Sequence, residues 1–554
     1  MRKTLLTLAL AVGLLLPTSS FAQTKVSITP AERKMAEAIT ADQLSSYLHF
    51  VASDAMGGRD TPSQGLDVTA EFLKMNLAKW GFKPAGDNGT FFQRMYVLST
   101  SIDGDASSID IGGKKLKYAE DFYRMPGASG NITGKKMIYA GDGWVIKSKN
   151  LNAFAGLDIK DKVVVIYADG APTRGLMALP KGVTQADLTG KRGVDYSDGA
   201  QYARENGAAG VVILPSTFLK ENWTRLGGFF GRGGASVEKM GDDDQKDGIP
   251  TFIVSENAAS AVFAGEAGDP LAGTGTAVKD INKTFSSNVV SKTERVPTQN
   301  VVAIWEGSGP LKDEMVAIGA HYDHVGTNPN APGDDKIWNG ADDDGSGTVG
   351  VLSIAEALAK AKTRPNRSIL FVWHAGEEKG LWGSAYFNKF PTVDIKKVVA
   401  QLNIDMIGRT QDPNNIIKCD APRKRCNEEL SKKDEIYVIG KDMMSSELGQ
   451  IVDGTNNAYL KLGYNTRYDD PKDPNRFFFR SDHFNYAMNG IPIAFWFDGV
   501  HEDYHQASDT ADKIDYDKMQ KVSRTIFLTM WELANITQRP QIDKKLPPEL
   551  SGVR

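Results

Sequence analysis

Histidine and acidic residues concentrate in the last part of this 554-residue chain. Of its 7 histidines, six lie after residue 320. In the same part, the stretch N-G-A-D-D-D-G-S-G-T at 339–348 places three aspartates side by side in glycine-rich backbone. Adjacent carboxylates repel each other, so this run is either a solvated acidic loop or a cation site.

The other chemistry-bearing groups follow predicted strands. Apolar runs end at or shortly before a histidine or acid in four places, at His321, at Glu377 and Glu378, at Asp405, and at His505. In open α/β sheets, ligands bind at the carboxyl ends of the strands. A solvated acidic surface does not explain why acids and histidines share these ends, so the pattern predicts a cation site.

The residue types fit zinc. Neutral imidazole and carboxylate are suitable zinc ligands, and catalytic zinc sites keep a position for water. Charge counting favours two ions: Asp342, Glu378 and Asp405 supply three negative charges against four positive charges. A bridging hydroxide then brings the sum to zero.

Strands and helices that alternate along the chain must position these groups. The apolar runs 315–320, 368–373, 398–405 and 491–497 predict strands, and the spacing in 349–361 and 518–536 predicts helices. Helices are also expected at 39–52 and 68–80. The pattern predicts an α/β fold with a mixed, mostly parallel sheet flanked by helices.

Composition limits the choice of partners and compartment. The net charge of −4 and pI of about 6.1 do not indicate nucleic acid or an acidic membrane surface. Residues 1–22 resemble a secretory signal peptide, and no later segment is long and apolar enough to span a bilayer. We therefore expect a periplasmic or secreted protein. Cys419 and Cys426 form either a local disulfide or two free thiols.

Five motifs together resemble one family. H-Y-D-H, G-A-D-D-D-G-S-G, G-E-E-K-G-L-W-G-S, N-I-D-M-I-G and Y-H-Q-A-S-D-T, in this order, are similar to those of M28 co-catalytic zinc peptidases. Region 100–296 is similar to a β-rich protease-associated (PA) domain. The resemblance implies a peptidase domain formed by 23–99 and 297–540, interrupted by this insertion and followed by a tail at 541–554.

The resemblance also implies a role for each motif residue. His321 and Glu378 would bind different zinc ions, Asp405 and His505 would complete the two sets, and Asp342 would bridge both ions. Glu377 would be the general base and acid. Asp323 would orient His321 from behind, as carboxylates do for ligating imidazoles. The Asp342–Asp343 peptide bond would be cis.

Ser481-Asp482-His483 departs from some relatives in its surroundings. Those relatives carry a tyrosine three residues before the serine, where it steadies the oxyanion, whereas this chain has Phe478. Arg480 or another group would have to replace it. Asp482 and His483 are expected either behind the metal ligands or as a cap of the following helix. His324, His374 and His501 are expected to be structural.

The sequence thus favours an exported enzyme with two Zn²⁺ ions that removes N-terminal residues from peptides. A carboxypeptidase or dipeptidase of the same fold is the alternative. Some M28-like domains are receptors that have lost catalysis, but these usually lack ligands or the general base, which this chain retains.

Overall fold

The computed structural model describes residues 26–125, 131–170, 173, 177–223, 234–240, 248–273, 280–331, 333–419, 425–547 and 550. These residues form two compact units. Unit 1 contains the residues up to Gln93 and those from Gln299 onward, and unit 2 is Arg94–Thr298. The insertion expected at 100–296 falls inside unit 2, and its assignment as a PA domain stays a prediction. The expected signal peptide lies outside the described residues.

The helices in chain order are α1 (Pro30–Ala36), α2 (Ala41–Val51), α3 (Gln64–Lys79), α4 (Gly199–Glu205), α5 (Thr217–Glu221), α6 (Glu256–Phe263), α7 (Gly347–Ala359), α8 (Trp382–Lys389), α9 (Ser446–Ala458), α10 (His483–Met488) and α11 (Tyr516–Asn535). The strands are β1 (Lys83–Pro84), β2 (Phe92–Ile111), β3 (Lys114–Lys117), β4 (Phe122–Arg124), β5 (Ile132–Tyr139), β6 (Val145–Ile146), β7 (Leu151–Asn152), β8 (Val163–Ile166), β9 (Tyr196–Ser197), β10 (Gly210–Ile213), β11 (Gly234–Val237), β12 (Thr251–Val254), β13 (Asp280–Trp305), β14 (Met315–His321), β15 (Ser368–His374), β16 (Val398–Ile404), β17 (Glu435–Ile439), β18 (Gly463–Asn465) and β19 (Ile493–Phe497).

The sheet of unit 1 is mostly parallel at its centre. β15, β14, β16 and β19 lie side by side and run parallel. β17 continues the sheet beyond β19 as an antiparallel strand, and residues Val301–Trp305 of β13 pair antiparallel to β15. The predicted mixed, mostly parallel sheet is confirmed. The parallel order brings the carboxyl ends of the four central strands to one edge, where open α/β sheets bind ligands.

Helices cover both faces of this sheet, which explains why its central strands read as continuous apolar runs. Helices α7 and α11 pack against β14 and β16, and α2 packs against both helices. On β15 and β19 lie α8 and α10. Alternate strand residues such as Ala317, Leu370 and Val372 join Phe387 and Phe484 in one buried core cluster, as the two-residue period of a strand requires.

Unit 2 has its own parallel core. β5, β8, β10 and β12 run parallel, and the first part of β13 pairs antiparallel to β5. Buried valines and isoleucines of these strands, including Val163–Ile166, form the second core cluster. The region is therefore β-rich, as expected, and its central strands are parallel and accompanied by helices.

The structure also bears on the two cysteines and on the expected lack of a membrane span. Cys419 and Cys426 are joined by a disulfide, which decides between the two alternatives left by the sequence. Within the described part of the chain, no helix combines the length and the apolar character that a bilayer crossing requires.

Candidate metal centre

The predicted histidines and acids lie together at the carboxyl ends of the central strands. His321 is the last residue of β14, and Asp405 comes directly after β16. Glu377 and Glu378 follow β15, and His505 follows β19 after a short loop. Thr348, at the start of α7, donates a hydrogen bond of 2.6 Å to the main-chain oxygen of His321. This bond fixes the start of that helix against the end of β14.

Asp343 lies between two histidines. Its Oδ1 is 3.4 Å from His321 Nε2, and its Oδ2 is 3.0 Å from His505 Nε2. The side chain is almost completely buried. One carboxylate therefore faces both histidines, which is the arrangement that a ligand shared by two cations needs.

The first candidate ligand set surrounds Asp343 Oδ2. Its members are His324, Asp343, Glu378 and His505, whose ligand atoms lie within 4.8 Å of one another. Glu378 Oε2 is 3.1 Å from His505 Nε2, and Glu378 Oε1 is 2.9 Å from His324 Nδ1. His505 has a φ of +54°, and Trp338 Nε1 donates a hydrogen bond to its carbonyl oxygen. A left-handed backbone at a non-glycine residue costs about 1–3 kcal/mol and is typical of functional sites.

The second candidate set lies on the other side of Asp343. His321, Asp344 and Asp405 also have ligand atoms within 4.8 Å of one another. Asp405 Oδ1 is 3.6 Å from His321 Nε2. Asp344 Oδ1, in contrast, accepts hydrogen bonds from the N–H groups of Gly347 and Met406. Asp344 thus holds the loop to the start of α7 and to the residue after Asp405, which leaves His321 and Asp405 as the candidate ligands on this side.

The donor atoms fit divalent cations. Asp343 Oδ2, Glu378 Oε1 and His505 Nε2 are buried and make no hydrogen bond, although they lie close to one another. Buried polar groups are normally hydrogen-bonded, so unsatisfied atoms that converge on one point indicate an ion. Imidazole and carboxylate donors in this mixture are suited to zinc.

The electrostatics agree with such a site. Burial raises the pKa of the Glu377 carboxyl well above its ordinary value, and nearby Glu378 and Asp405 add to this shift. Burial lowers the pKa of a histidine, but the carboxylates of Glu378 and Asp343 raise that of His505 to about 11. A cation that binds His505 would therefore compete with a proton for the same nitrogen.

Asp342 is not at the position predicted for it. Its Oδ2 lies 3.2 Å from His501 Nε2, and its Oδ1 accepts a hydrogen bond of 2.7 Å from the N–H of Gly408. Asp343, one residue later, is the aspartate that lies between His321 and His505. The cis peptide bond is likewise displaced and joins Asp343 to Asp344. Three identical side chains in a row do not reveal their directions, which depend on the irregular backbone after Gly340 (φ +57°).

Asp323 contacts His321 through its main-chain oxygen and not through the carboxylate that was expected to orient the ring. The main-chain oxygen of Asp323 is 3.1 Å from His321 Nδ1, while its carboxylate Oδ1 is 3.6 Å away. That carboxylate accepts a hydrogen bond from the N–H of Glu377 instead. Since β14 ends at His321, the two residues do not share a strand face. Asp323 thus connects the first ligand loop to the residue expected to be the general base.

Asp482 and His483 are both buried at the start of α10. The side chain of Asp482 makes no capping hydrogen bond to that helix, and burial raises its pKa to about 7. The ring of His483 stacks on Phe495, with centroids 4.4 Å apart. Of the three histidines expected to be structural, His374 pairs with the Tyr486 hydroxyl and His501 with Asp342. The third, His324, belongs to a ligand set instead.

A pocket opens beside the centre. Asp343, Glu377 and Asp405 line one side, and the rest is lined mainly by apolar groups together with two polar ones: Met406, Phe477, Phe495, Phe497, Val500, Arg480 and Tyr504. Arg480 Nη2 donates to the Tyr504 hydroxyl at 3.3 Å. Phe478, at the position where relatives carry tyrosine, is buried and packs on His483.

Three residues at or beside the candidate metal centre were not predicted from the sequence. His324 stands in the quoted motif H-Y-D-H, so its place beside His321 was the available signal. Asp343 was visible in the loop but could not be separated from its neighbours. Tyr504 directly precedes His505, and its ring stacks on the His505 ring with centroids 4.0 Å apart.

Comparison with known proteins shows which family part of the chain resembles. Residues 300–530 match the model of peptidase family M28. Leucine aminopeptidase 2 of Arthroderma otae is 34% identical over 139 residues, which cover 25% of this chain and 25% of that protein. Leupeptin-inactivating enzyme 1 of Streptomyces exfoliatus is 28% identical over 215 residues, 39% of this chain and 38% of that enzyme. The alignments thus span well under half the length of these relatives.

A solved structure supports the fold. An aminopeptidase from Aneurinibacillus sp. strain AM-1 matches with a TM-score of 0.52 at 16% identity, over 93% of this chain and 100% of that chain. The motifs of the centre lie inside the segment that matches the family model. Residues 300–530, which carry both candidate ligand sets, are therefore similar to peptidase family M28.

Proposed function

We propose that this protein is an aminopeptidase that uses two zinc ions to hydrolyse the first peptide bond of peptides. The observation that carries the proposal is the position of Asp343, whose two carboxylate oxygens face His321 and His505 separately. With Asp343 shared, His321 and Asp405 would hold one ion, and Glu378 and His505 the other. His324 belongs to the first candidate set, together with Glu378 and His505. The bound ions would polarise the scissile carbonyl and lower the pKa of water.

Glu377 is the candidate general base and acid. It lines the pocket beside Asp343 and Asp405, and its Oε2 lies 3.9 Å from His321 Nε2. Its neighbour Glu378 faces His324 and His505, so the two adjacent carboxylates serve different purposes. Glu377 would take a proton from the attacking water and deliver it to the leaving amine.

The pocket provides groups for the rest of the substrate. The aromatic rings of Phe477, Phe495 and Phe497 would receive an apolar side chain of the first residue. Tyr504 and Arg480 are hydrogen-bond donors in the same pocket. We propose that Tyr504, adjacent to His505, donates to the oxygen that becomes negative when water attacks the carbonyl.

The test compares leucine-initiated tripeptides that differ only at their N-terminus. We expect the free peptide to be cleaved and its N-acetylated copy to be left intact, as followed by mass spectrometry of the products. Equal cleavage of both peptides contradicts the aminopeptidase assignment. Absence of cleavage by protein that contains two zinc ions contradicts peptidase activity altogether.

Arg480 favours a second candidate function, that of a dipeptidase. Its guanidinium lines the pocket and is a natural partner for a substrate carboxylate. A dipeptidase would cleave Leu-Gly much faster than Leu-Gly amide, whereas an aminopeptidase would accept both. The ratio of kcat/KM for these two substrates decides between the functions.

We further propose that the protein acts outside the cytoplasm. The disulfide between Cys419 and Cys426 supports this, because disulfides persist mainly in oxidising compartments. Fractionation of producing cells tests the proposal, and recovery of the protein only in the cytoplasmic fraction contradicts it.

A further inference from the structure

Arg59, in the N-terminal part of unit 1, is completely buried. Its guanidinium donates four hydrogen bonds to main-chain carbonyl oxygens. Nε donates to Tyr322 at 2.9 Å, Nη1 to Val51 at 2.8 Å and Asn339 at 2.7 Å, and Nη2 to Gly340 at 2.9 Å. Four of the five N–H groups of the side chain are therefore used.

Burying a charged side chain costs several kcal/mol unless its surroundings compensate the charge. The pKa of Arg59 is lowered by burial, while the negative charges of Asp323, Asp344, Asp343 and Asp509 oppose that shift. The guanidinium thus lies within the field of the acidic groups around the metal centre. Val51 is also the last residue of α2, where a positive charge is favourable.

Three of the four acceptors of Arg59 lie in the two loops that carry candidate ligands. Tyr322 stands between His321 and Asp323, so the bond to its oxygen acts on the end of β14. Asn339 and Gly340 directly precede the turn that holds Asp343. A planar guanidinium spans both loops at once, which a single ammonium group does not.

The carboxylate of Asp509 binds the same turn through the N–H groups of the turn. Asp509 accepts hydrogen bonds from the N–H groups of Asp342 and Asp343, at 3.0 and 3.2 Å. Arg59 binds carbonyl oxygens of the turn and Asp509 binds its N–H groups, so the backbone before Asp343 is fixed by two side chains of opposite charge.

The residue before Arg59 is shaped for this contact. Gly58 has a φ of +69°, and a Cβ atom there would lie 2.4 Å from the carbonyl oxygen of Gly326. The N–H groups of Gly326 and His324 donate to the carbonyl oxygens of Gly58 and Arg59. The segment therefore lies directly against the loop after His321. Such a close approach needs glycine, which has no Cβ atom.

We propose that Arg59 is a positioning residue of the metal centre, which holds the loops of His321 and Asp343 at the spacing that lets both bind the same pair of ions. This inference rests on the proposed two-metal function. The proposal gives a structural role to the motif M-G-G-R-D near the N-terminus. This motif lies more than 260 residues before the first candidate metal ligand in the sequence.

The test replaces Arg59 by lysine and measures metal affinity separately from catalysis. Metal-free Arg59→Lys and wild-type protein are titrated with zinc in competition with a chelator, and kcat and KM are measured after reconstitution. We expect the zinc dissociation constant to rise and kcat to fall, each by about 10- to 100-fold, because residues behind metal ligands have effects of this size. KM should change little, since Arg59 does not line the substrate pocket.

Arg367 provides a matched control. It is also fully buried, and its guanidinium donates to the carbonyl oxygens of Leu533 and Ile536 near the end of α11 and to Glu314. Its backbone precedes β15, at the end of the strand far from the ligands. Arg367→Lys should lower the melting temperature but leave zinc affinity and kcat unchanged. Equal loss of zinc affinity in both variants overturns the proposal.

Two further results decide the remaining cases. If the buried ammonium prevents folding, Arg59→Gln and Arg367→Gln replace the lysine variants, because an amide carries no charge to bury. If both Arg59 variants fail to fold while the Arg367 variants fold, Arg59 serves the fold and the proposal is wrong. Wild-type protein that binds no zinc overturns the proposed function, whereas active wild-type enzyme with an unaffected Arg59→Lys variant overturns this inference alone.

Discussion

Asp342 Oδ2 lies 3.2 Å from His501 Nε2, whereas the adjacent Asp343 faces His321 and His505. Two neighbouring carboxylates thus point to different histidines. The carboxylate of Asp342 is buried, and its Oδ1 accepts a hydrogen bond from the N–H of Gly408. Only the second of the two faces both candidate ligand sets.

This difference gives the first prediction. Asp343→Asn should abolish the binding of at least one zinc ion and lower activity by about 100-fold or more, because it removes a charged ligand shared by both ions. Asp342→Asn should keep both ions and lower the melting temperature, because it replaces a buried carboxylate whose Oδ1 accepts a hydrogen bond from Gly408 and whose Oδ2 lies 3.2 Å from His501. Metal content per chain is measured by atomic emission. Loss of zinc in Asp342→Asn with retention in Asp343→Asn would return the bridging position to Asp342.

The second prediction concerns proton transfer. Glu377→Gln should retain two zinc ions, because Glu377 is not in a ligand set, and should lower kcat by about 10²- to 10⁴-fold, the usual contribution of a general base. The matched variant is Glu378→Gln, which should lose zinc as well as activity. Near-normal turnover in Glu377→Gln rules out its role as the base.

The third prediction concerns Tyr504. Removing its hydroxyl in Tyr504→Phe should lower kcat by about 10²- to 10³-fold with little change in KM, because a donor to the developing negative charge acts mainly in the transition state. Arg480→Met is measured in parallel. A large loss of kcat in Arg480→Met together with normal kcat in Tyr504→Phe would transfer the donor role to Arg480.

The fourth prediction concerns His324, whose Nδ1 is 2.9 Å from Glu378 Oε1. His324→Gln should weaken the binding of the ion held by Glu378 and His505, so metal content should fall from two ions toward one. His374→Gln is the control, because His374 is buried but pairs with the Tyr486 hydroxyl. Unchanged zinc affinity in His324→Gln would show that His324 only packs beside the centre.

The fifth prediction concerns pH and stability. Burial lowers the pKa of His483 to about 3, against an ordinary value of about 6.5 in the unfolded chain. Between these values the unfolded chain binds more protons, so stability is lost as the pH falls through this window, by up to about 1.4 kcal/mol per pH unit. In metal-free protein, His483→Leu should reduce this slope, as measured by urea unfolding between pH 7.5 and 5.

Much of the frame follows from local sequence. The apolar runs predicted at 315–320, 368–373 and 398–405 correspond to β14, β15 and β16, since a strand buried on both faces needs consecutive apolar residues. The groups that follow these runs meet because parallel strands end at one edge of the sheet. The predicted positions of His321, Glu378, Asp405 and His505 therefore depended little on remote contacts.

The sequence by itself determined which segments form the sheet, which histidines and acids follow its strands, and which family these motifs resemble. The tertiary structure decided which of three adjacent aspartates faces both ligand sets, that His324 turns inward, and that Arg59 reaches the same loops from the N-terminal segment. The physical reason is that side-chain direction in an irregular loop depends on backbone dihedral angles and on hydrogen bonds to distant parts of the chain. A run of three identical residues carries neither kind of information.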